Sequence, residues 1–239
     1  MSDVTVVPVR RLELSLRPQP WPFAIERRAE IEAHFASVRQ SNPTLWNGRV
    51  LMLYQYEIAG EVFRGSYLET DFASMLAWRH WNFADAGVKN CFAMGALRAS
   101  DGAYLLGEMS GHTANAGSIY FPAGVPDMSD VDGGIVDLRR NVLRELREET
   151  GLGADDVEVD AGWTTVLAGP RIAQIKLLNT HLAAEELRAR VLAFLREQAE
   201  PELSDVRIVR GPADLETKMP PFITAFLRHV WSGNRGTIP

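Results

Sequence analysis

The chain lacks most features of secreted, membrane and nucleic-acid-binding proteins. Its 239 residues include one cysteine, Cys91, which excludes an internal disulfide and a cysteine-rich zinc site. No apolar run reaches the roughly 18 residues that a membrane-spanning helix needs, and no signal-peptide core lies near the start. A net charge of −6 disfavours general binding to nucleic acid or anionic membranes. These absences predict a cytoplasmic protein.

Several common catalytic motifs are missing as well. The sequence has no G-x-x-x-x-G-K-[ST] phosphate-binding loop, and the stretch GEMSG lacks the serine spacing of a nucleophile elbow. The histidines are scattered and show no metal-ligand spacing. They are His34, His80, His112, His181 and His229. The sequence therefore gives no support to a phosphate-loop enzyme, a serine hydrolase of that type or a histidine-based metal site.

The pattern of apolar residues and turn signals predicts an α+β fold. A strand over 48–58 and its returning partner precede a helix that begins with Thr70 or Asp71 as its N-cap. A second hairpin turns at Asp101-Gly102. Further helices are predicted over 24–40, 138–150, 183–198 and 220–231. Because strands outnumber helices and are joined mainly by hairpins, we expect a mixed sheet packed between helices. An extension over 1–88 is expected to pack on a core domain over 89–239.

The stretch RELREETGL, residues 144–152, places three acids close together near a helix end. Glu145, Glu148 and Glu149 share an arc of about 100°, and acids at this end oppose the helix dipole by up to about 1 kcal/mol each. A solvated face is the simplest explanation, but the acids also border an apolar seam. Because only oxygen ligands are present, Mg²⁺ or Mn²⁺ is the more suitable partner.

This stretch resembles the second half of the Nudix box, G-x5-E-x7-R-E-U-x-E-E-x-G-U, in which U is aliphatic. The matching positions are Arg144, Glu145, Leu146, Glu148, Glu149, Gly151 and Leu152. The hairpin with SDG and the turn FPAG are similar to the family too. The resemblance implies a Nudix-type α/β/α sandwich with a mixed sheet and an N-terminal strand-and-helix extension. It also implies a Mg²⁺-dependent hydrolase of a nucleoside diphosphate linked to another moiety.

The resemblance assigns roles to individual residues. The glutamates that would bind metal are Glu145, Glu148 and Glu149. Arg144 matches an arginine that orients a glutamate, and Gly124 matches a turn residue whose neighbourhood offers a backbone carbonyl to a metal. The family often has another acid in a downstream loop as metal ligand or base, for which the candidates are Glu197, Glu200, Glu202 and Asp205. The following strand favours Glu202 or Asp205, and Glu202 is our candidate.

The front half of the box departs from the family pattern. Counting back from Arg144, the family's glycine falls on Asp130 and its first glutamate on Val136. An insertion after Gly124 explains the shift, and Asp137 then stands one position from the missing glutamate. Asp137 fits an N-cap of the acidic helix equally well. The loop geometry and the substrate choice therefore stay open.

Candidate substrate-binding residues lie on both sides of the box. The segments NPTLWNGRVLML and GSYLETDFASMLAWR loosely resemble the leader of Nudix proteins that hydrolyse nucleotide-sugars. The candidates in this leader are Trp46, Asn47, Arg49, Tyr67 and Arg79. Arg98 and Arg171 are candidates for diphosphate oxygens, because a planar guanidinium suits such groups. Tyr120 and Phe121 are candidates for stacking on a base, although one of them fits core packing better.

Three functions remain open at this point. The first is the metal-dependent hydrolase of a small-molecule nucleotide. The second is a catalytically reduced Nudix-fold nucleotide-binding or regulatory module, which the altered front half of the box favours. The third is a Nudix-fold isomerase of a diphosphate metabolite. A homodimer is expected by analogy with the family alone.

Overall fold

The computed structural model describes residues 4–43 and 45–233, and within them two sheets and six α-helices are present. The strands are β1 (Val4–Val9), β2 (Arg11–Leu16), β3 (Arg49–Ala59), β4 (Val62–Asp71), β5 (Asn90–Arg98), β6 (Tyr104–Met109), β7 (Ile119–Tyr120), β8 (Ala123–Gly124), β9 (Val131–Asp132), β10 (Ile135–Val136), β11 (Glu158–Val159), β12 (Trp163–Ala168), β13 (Arg171–Asn179) and β14 (Leu203–Val209). The helices are α1 (Pro22–Glu26), α2 (Arg28–Ser41), α3 (Phe72–His80), α4 (Leu138–Thr150), α5 (Ala184–Glu197) and α6 (Pro221–Trp231). None of these helices is long and apolar enough to cross a membrane.

The main sheet has the strand order β1-β12-β13-β5-β6-β14, and β7, β8 and β11 pair along it. Strands β13 and β5 run parallel and the other pairs run antiparallel, so the sheet is mixed. Strand β5 lies near the middle, and only its two end residues are not fully buried. This burial on both faces explains why its sequence is almost continuously apolar.

Helices cover both faces of the main sheet. A Cβ placed on Gly95 would lie 3.3 Å from Cγ1 of Val142 in α4, so Gly95 faces that helix. Phe92 contacts Phe222 of α6, with 5.4 Å between their ring centroids. Because side chains alternate along a strand, positions 92 and 95 point to opposite faces. The sheet is therefore packed between helix layers, which confirms the predicted α+β class.

A second sheet has the order β3-β4-β2-β10-β9 and carries its own apolar core. That core packs against α2 and α3 and includes Trp21, Ile31, Met52, Leu76 and Trp78. Strand β1 nevertheless belongs to the main sheet, whereas β9 and β10 belong to the second. The two predicted parts, 1–88 and 89–239, therefore each contribute strands to the other's sheet. Their residues 1–3, 44 and 234–239 lie outside the described residues.

Local signals match the observed elements closely. Asp71 is the N-cap of α3 and accepts a hydrogen bond from the Ser74 backbone N–H. Gly102, in the turn between β5 and β6, has a φ of +87°, which favours glycine. The sequence pattern did not predict β1, because prolines interrupt the first part of the chain. Pro8 is tolerated there because β1 is an edge strand, which among the described residues pairs with β12 alone.

Candidate active site

The acidic helix α4 is capped at both ends by its own sequence. The Asp137 side chain accepts hydrogen bonds from the backbone N–H groups of Arg139 and Arg140, at 2.9 and 3.1 Å. Gly151 ends the helix with a φ of +72°. Of the two predicted roles for Asp137, its hydrogen bonds fit the N-cap. Both hydrogen bonds end on the same oxygen, Oδ1.

Two of the three glutamates lie against the turn at β8. The Ala123 backbone N–H donates to Glu149 Oε1 at 3.3 Å. A Cβ placed on Gly124 would lie only 2.0 Å from Glu145 Oε1. Glycine is therefore needed at position 124, because any side chain would displace the Glu145 carboxylate. The predicted turn and the predicted acids form one site.

Burial makes these two carboxylates unusual. Glu149 is 3% exposed, and its Oε2 has no hydrogen-bond partner among the described residues. Burial raises the pKa of Glu149 well above its ordinary value, and the charge of Glu145 raises it further. Burial likewise raises the pKa of Glu145 to about 7, although the Arg144 charge acts in the opposite direction. Because a buried carboxylate without a counter-charge is unfavourable, a cation bound beside Glu149 would stabilise this pair.

The remaining acids lie at the edge of this pair. The Glu148 side chain is 59% exposed and lies 3.3 Å from the Arg144 guanidinium. Glu202 is exposed, and its charge helps to raise the pKa values of Glu145 and Glu149, so the structure brings it near them. Asp205, the alternative to Glu202, instead pairs with Arg188 at 2.8 Å.

The donor set suits a hard divalent cation. Within the described residues, no group of three or more His, Cys, Asp or Glu side chains could hold a metal ion, so these side chains do not form a cage of ligands by themselves. Mg²⁺ does not require such a cage, because it commonly binds through one or two carboxylates together with waters and substrate phosphates. The unpartnered Glu149 Oε2 and the adjacent Glu145 carboxylate therefore fit Mg²⁺ or Mn²⁺.

Arg144 is held by an acid that the sequence did not identify. Its guanidinium lies 2.7 Å from Glu145 and 3.2 Å from Asp130. Asp130 is fully buried and also accepts a hydrogen bond from Asn141 Nδ2 at 2.9 Å. Asp130 therefore anchors Arg144 from beneath the helix, while Arg144 contacts Glu145.

The segment between Gly124 and α4 forms short elements of its own. Residues 128–130 form a 3-10 turn, and β9 and β10 pair before β10 joins β2 in the second sheet. Val136, where the family's first glutamate falls, is buried and apolar. No local pattern marked Asp130, because its proximity to Arg144 depends on the path of this loop.

A cavity extends from Gly124 across the face of β5. Its volume is about 170 Å³, roughly ten times what one water needs, so it has room for a small polar ligand. The lining residues are Arg79, Asn90, Phe92, Met94, Asn115, Ser118, Tyr120, Ala123, Gly124, Val125, Arg171, Pro220 and Phe222. The predicted residues Arg171 and Tyr120 thus lie in one cavity with Arg79, next to the turn at β8 that contacts the acids of α4.

Other predicted residues lie elsewhere. Arg98 ends β5, about 16 Å along the strand from Ala93, which pairs with Gly124. Phe121 is fully buried and packs edge-on against Phe226, so it belongs to the core. The leader candidates outside the cavity are Trp46, Asn47, Arg49 and Tyr67. Arg49 pairs with Glu69, whereas Tyr67 is buried in the core.

No protein-family model matches the chain, and no curated protein sequence matches it. Solved structures similar to it include a Nudix hydrolase from M. smegmatis, RenU, at 16% identity and a TM-score of 0.41, covering 62% of this chain and 86% of that chain. A MutT protein from Methanosarcina mazei Go1 shows 19% identity and a TM-score of 0.43, covering 62% and 96%. An Ap4A hydrolase from C. elegans shows 16% identity and a TM-score of 0.44, covering 61% and 98%.

Proposed function

We propose that this chain is a Nudix-type, metal-dependent pyrophosphohydrolase that cleaves a nucleoside diphosphate linked to another moiety. The observation that carries the proposal is the buried, unpartnered Oε2 of Glu149 beside the Glu145 carboxylate and the Gly124 turn. Two buried acids so close together fit a site that binds a divalent cation and the phosphates the cation accompanies.

Each residue at the turn has a defined task in this proposal. Glu145 and Glu149 would hold Mg²⁺ or Mn²⁺, with Glu148 at the outer edge, and the backbone carbonyl beside Gly124 would be a further ligand. Arg144, anchored by Asp130, orients Glu145. When bound, the metal neutralises phosphate charge and lowers the pKa of a water.

The reaction is a hydrolysis at one phosphorus of the diphosphate. A water oxygen forms a bond to that phosphorus, and the bond from phosphorus to the bridging oxygen breaks. The products are a nucleoside monophosphate and a second phosphorylated fragment. Glu202 lies at the edge of the site and is our candidate for taking the proton of the water or for binding metal.

We further propose a nucleotide-sugar as the substrate. This choice rests on the loose resemblance of NPTLWNGRVLML and GSYLETDFASMLAWR to the leader of proteins that hydrolyse nucleotide-sugars. Arg79, the last residue of the second segment, lines the cavity beside Gly124. Tyr120 and Arg171 line the same cavity and are proposed to contact the substrate. Cytoplasmic location and a homodimer remain predictions from sequence.

A panel of nucleotide-sugars, dinucleoside polyphosphates, ADP-ribose and oxidised nucleotides with Mg²⁺ tests the proposal, with the products identified by mass. We expect Glu148→Gln and Glu149→Gln each to lower turnover by about 100-fold or more, since even outer-shell partners of a metal are worth 10–100-fold. Glu186→Gln, an exposed acid on α5, is the matched control and keeps full activity. Full activity in both α4 variants would contradict the assignment.

A nucleotide-binding module without catalysis is the second candidate. The observation that favours it is Val136, an apolar residue at the position of the family's first glutamate. Tight nucleotide binding with Mg²⁺, without products over hours, would support this alternative. Conversion of the substrate into a product of the same mass, without cleavage or addition of water, would instead point to the isomerase.

A further inference from the structure

Two arginines from different parts of the fold converge on the cavity beside Gly124. Arg79 comes from α3 of the N-terminal layer, and Arg171 begins β13 of the main sheet. Both line the cavity, and both are half-buried. Burial lowers the pKa of Arg79, and the positive charge of Arg171 lowers it further, as expected for like charges at close range.

Neither guanidinium forms an ion pair with a carboxylate in the described part of the chain. Arg79 donates to Asn115 Oδ1 at 3.0 Å and to the Ala114 carbonyl oxygen at 3.2 Å, which are both neutral acceptors. The Arg171 guanidinium lies over the Phe83 ring, 5.5 Å from its centroid, and no hydrogen bond joins that guanidinium to a described residue. Most of the donors on the two groups are therefore free.

Two other half-buried arginines do have a carboxylate partner. Arg64 pairs with Glu13, and Arg207 pairs with Glu108. Two half-buried cations that repel each other and have no counter-charge are unfavourable, unless an anion binds between them. A planar guanidinium also matches the oxygens of a phosphate.

The wall of the cavity contains one more unsatisfied group. Asn90 lines the cavity, and its Oδ1 is buried without a hydrogen-bond partner among the described residues. Phe92 and Phe222 provide apolar surface next to it. A ligand that carries a donor N–H or O–H and a flat apolar part would satisfy this wall.

We propose that Arg79 and Arg171 together form a phosphate receptor, so that the N-terminal layer completes the substrate site. The ligand class is a phosphate-bearing molecule whose phosphate oxygens lie between the two guanidiniums. This inference rests on the proposed function for the identity of the ligand, but the receptor itself requires neither metal nor hydrolysis. Removal of either arginine should therefore weaken binding of the phosphate group in the absence of metal.

The test is a calorimetric titration of the full chain with inorganic pyrophosphate in the presence of EDTA. We expect Arg79→Gln and Arg171→Gln each to weaken binding by about ten-fold or more, since a charge-assisted hydrogen bond is worth about 1.5–3 kcal/mol. Arg79→Lys should recover part of the affinity, because it restores the charge without the planar fork. Arg49→Gln, an exposed arginine of the same layer that pairs with Glu69, is the matched control and should bind as the parent does.

Arg171 gives a second, independent variant. Because Arg79 also holds the loop at Ala114 and Asn115, its loss could act by releasing that loop. Arg171 makes no such bond, so weakening by Arg171→Gln reports the receptor directly. An effect of Arg79→Gln alone, or equal loss in Arg49→Gln, would overturn the proposal. Intact pyrophosphate binding in a chain that hydrolyses nothing would overturn the proposed function but leave the receptor standing.

Discussion

Oε2 of Glu149 is buried without a hydrogen-bond partner in the part of the chain that the structure describes, an arrangement that opposes stability when the carboxylate is charged. The effect follows from the physics of charge burial, since desolvation of an ion is unfavourable unless a counter-charge replaces water. A residue placed for cation binding should thus oppose stability when the cation is absent.

Replacement of Glu149 by its neutral isostere should show this effect on stability directly. In EDTA, Glu149→Gln is expected to raise the melting temperature, by about 2–4 °C for each kcal/mol gained in a chain of this size. Mg²⁺ should raise the melting temperature of the parent, because it binds only the folded state, but not that of the variant. Thermal melts with and without Mg²⁺ measure both effects. A lower melting temperature of the variant in EDTA would count against the assignment.

Glu145 gives a dependence of stability on pH. Its folded pKa of about 7 lies above the ordinary 4.5, so the folded chain binds more protons than the unfolded chain between these values. The stability that Glu145 contributes is therefore fully present below pH 4.5 and is lost as the pH rises through about 7. Melts in EDTA across this range should show a smaller loss for Glu145→Gln than for the parent. Parallel curves would contradict this expectation.

At the scale of single elements, α4 depends on the loop that precedes it. The loop contributes Asp137 to cap the helix and Asp130 to anchor Arg144, so two aspartates of one segment have different tasks. The first task is local, because Asp137 caps the helix that it precedes. The second is not, because Asp130 contacts Arg144, which lies between one and two turns into the helix. Both aspartates can be tested by the same change of carboxylate to amide.

Asp130→Asn should lower kcat by about 10–100-fold, the usual effect of losing an outer-shell partner. The reason is that Arg144 loses the charge that holds it against Glu145, whereas substrate contacts in the cavity are unchanged, so KM should move little. Asp137→Asn is the control, because asparagine caps a helix about as well as aspartate. Steady-state kinetics and melts of both variants are the measurements. Equal kcat values in the two variants would show that Asp130 does not anchor Arg144 for catalysis.

At the scale of the whole molecule, the two sheets exchange strands. Strand β1 completes the edge of the main sheet, and β9 and β10 extend the second sheet. Val9 and Leu14, on either side of the crossing from one sheet to the other, are both buried in the larger core. The boundary predicted at residue 88 therefore separates strands that pack together.

A fragment of residues 89–239 is accordingly expected not to fold alone. It lacks β1, and it exposes the apolar residues that pack against β2, β3 and β4. Circular dichroism during heating should show no cooperative transition for the fragment, whereas the full chain should melt cooperatively. A fragment that melts cooperatively near the temperature of the full chain would show instead that the core domain is independent.

The sequence alone determined the features that depend on neighbours along the chain. The bounds of α4, the start of α3 at Thr70 or Asp71, and the grouping of three glutamates all follow from helical periodicity and backbone preferences. These are set within a few residues, so a linear pattern contains the information.

Only the tertiary structure decided which of these groups meet. Burial separates Glu149 and Glu145 from the exposed Glu148, although all three have the same local pattern. Arg79 and Arg171 come from different layers and line one cavity. Arg98 lies at the last position of β5, away from the part of that strand that lines the cavity. Such proximity and desolvation arise from the packing of distant segments, and no spacing along the chain encodes them.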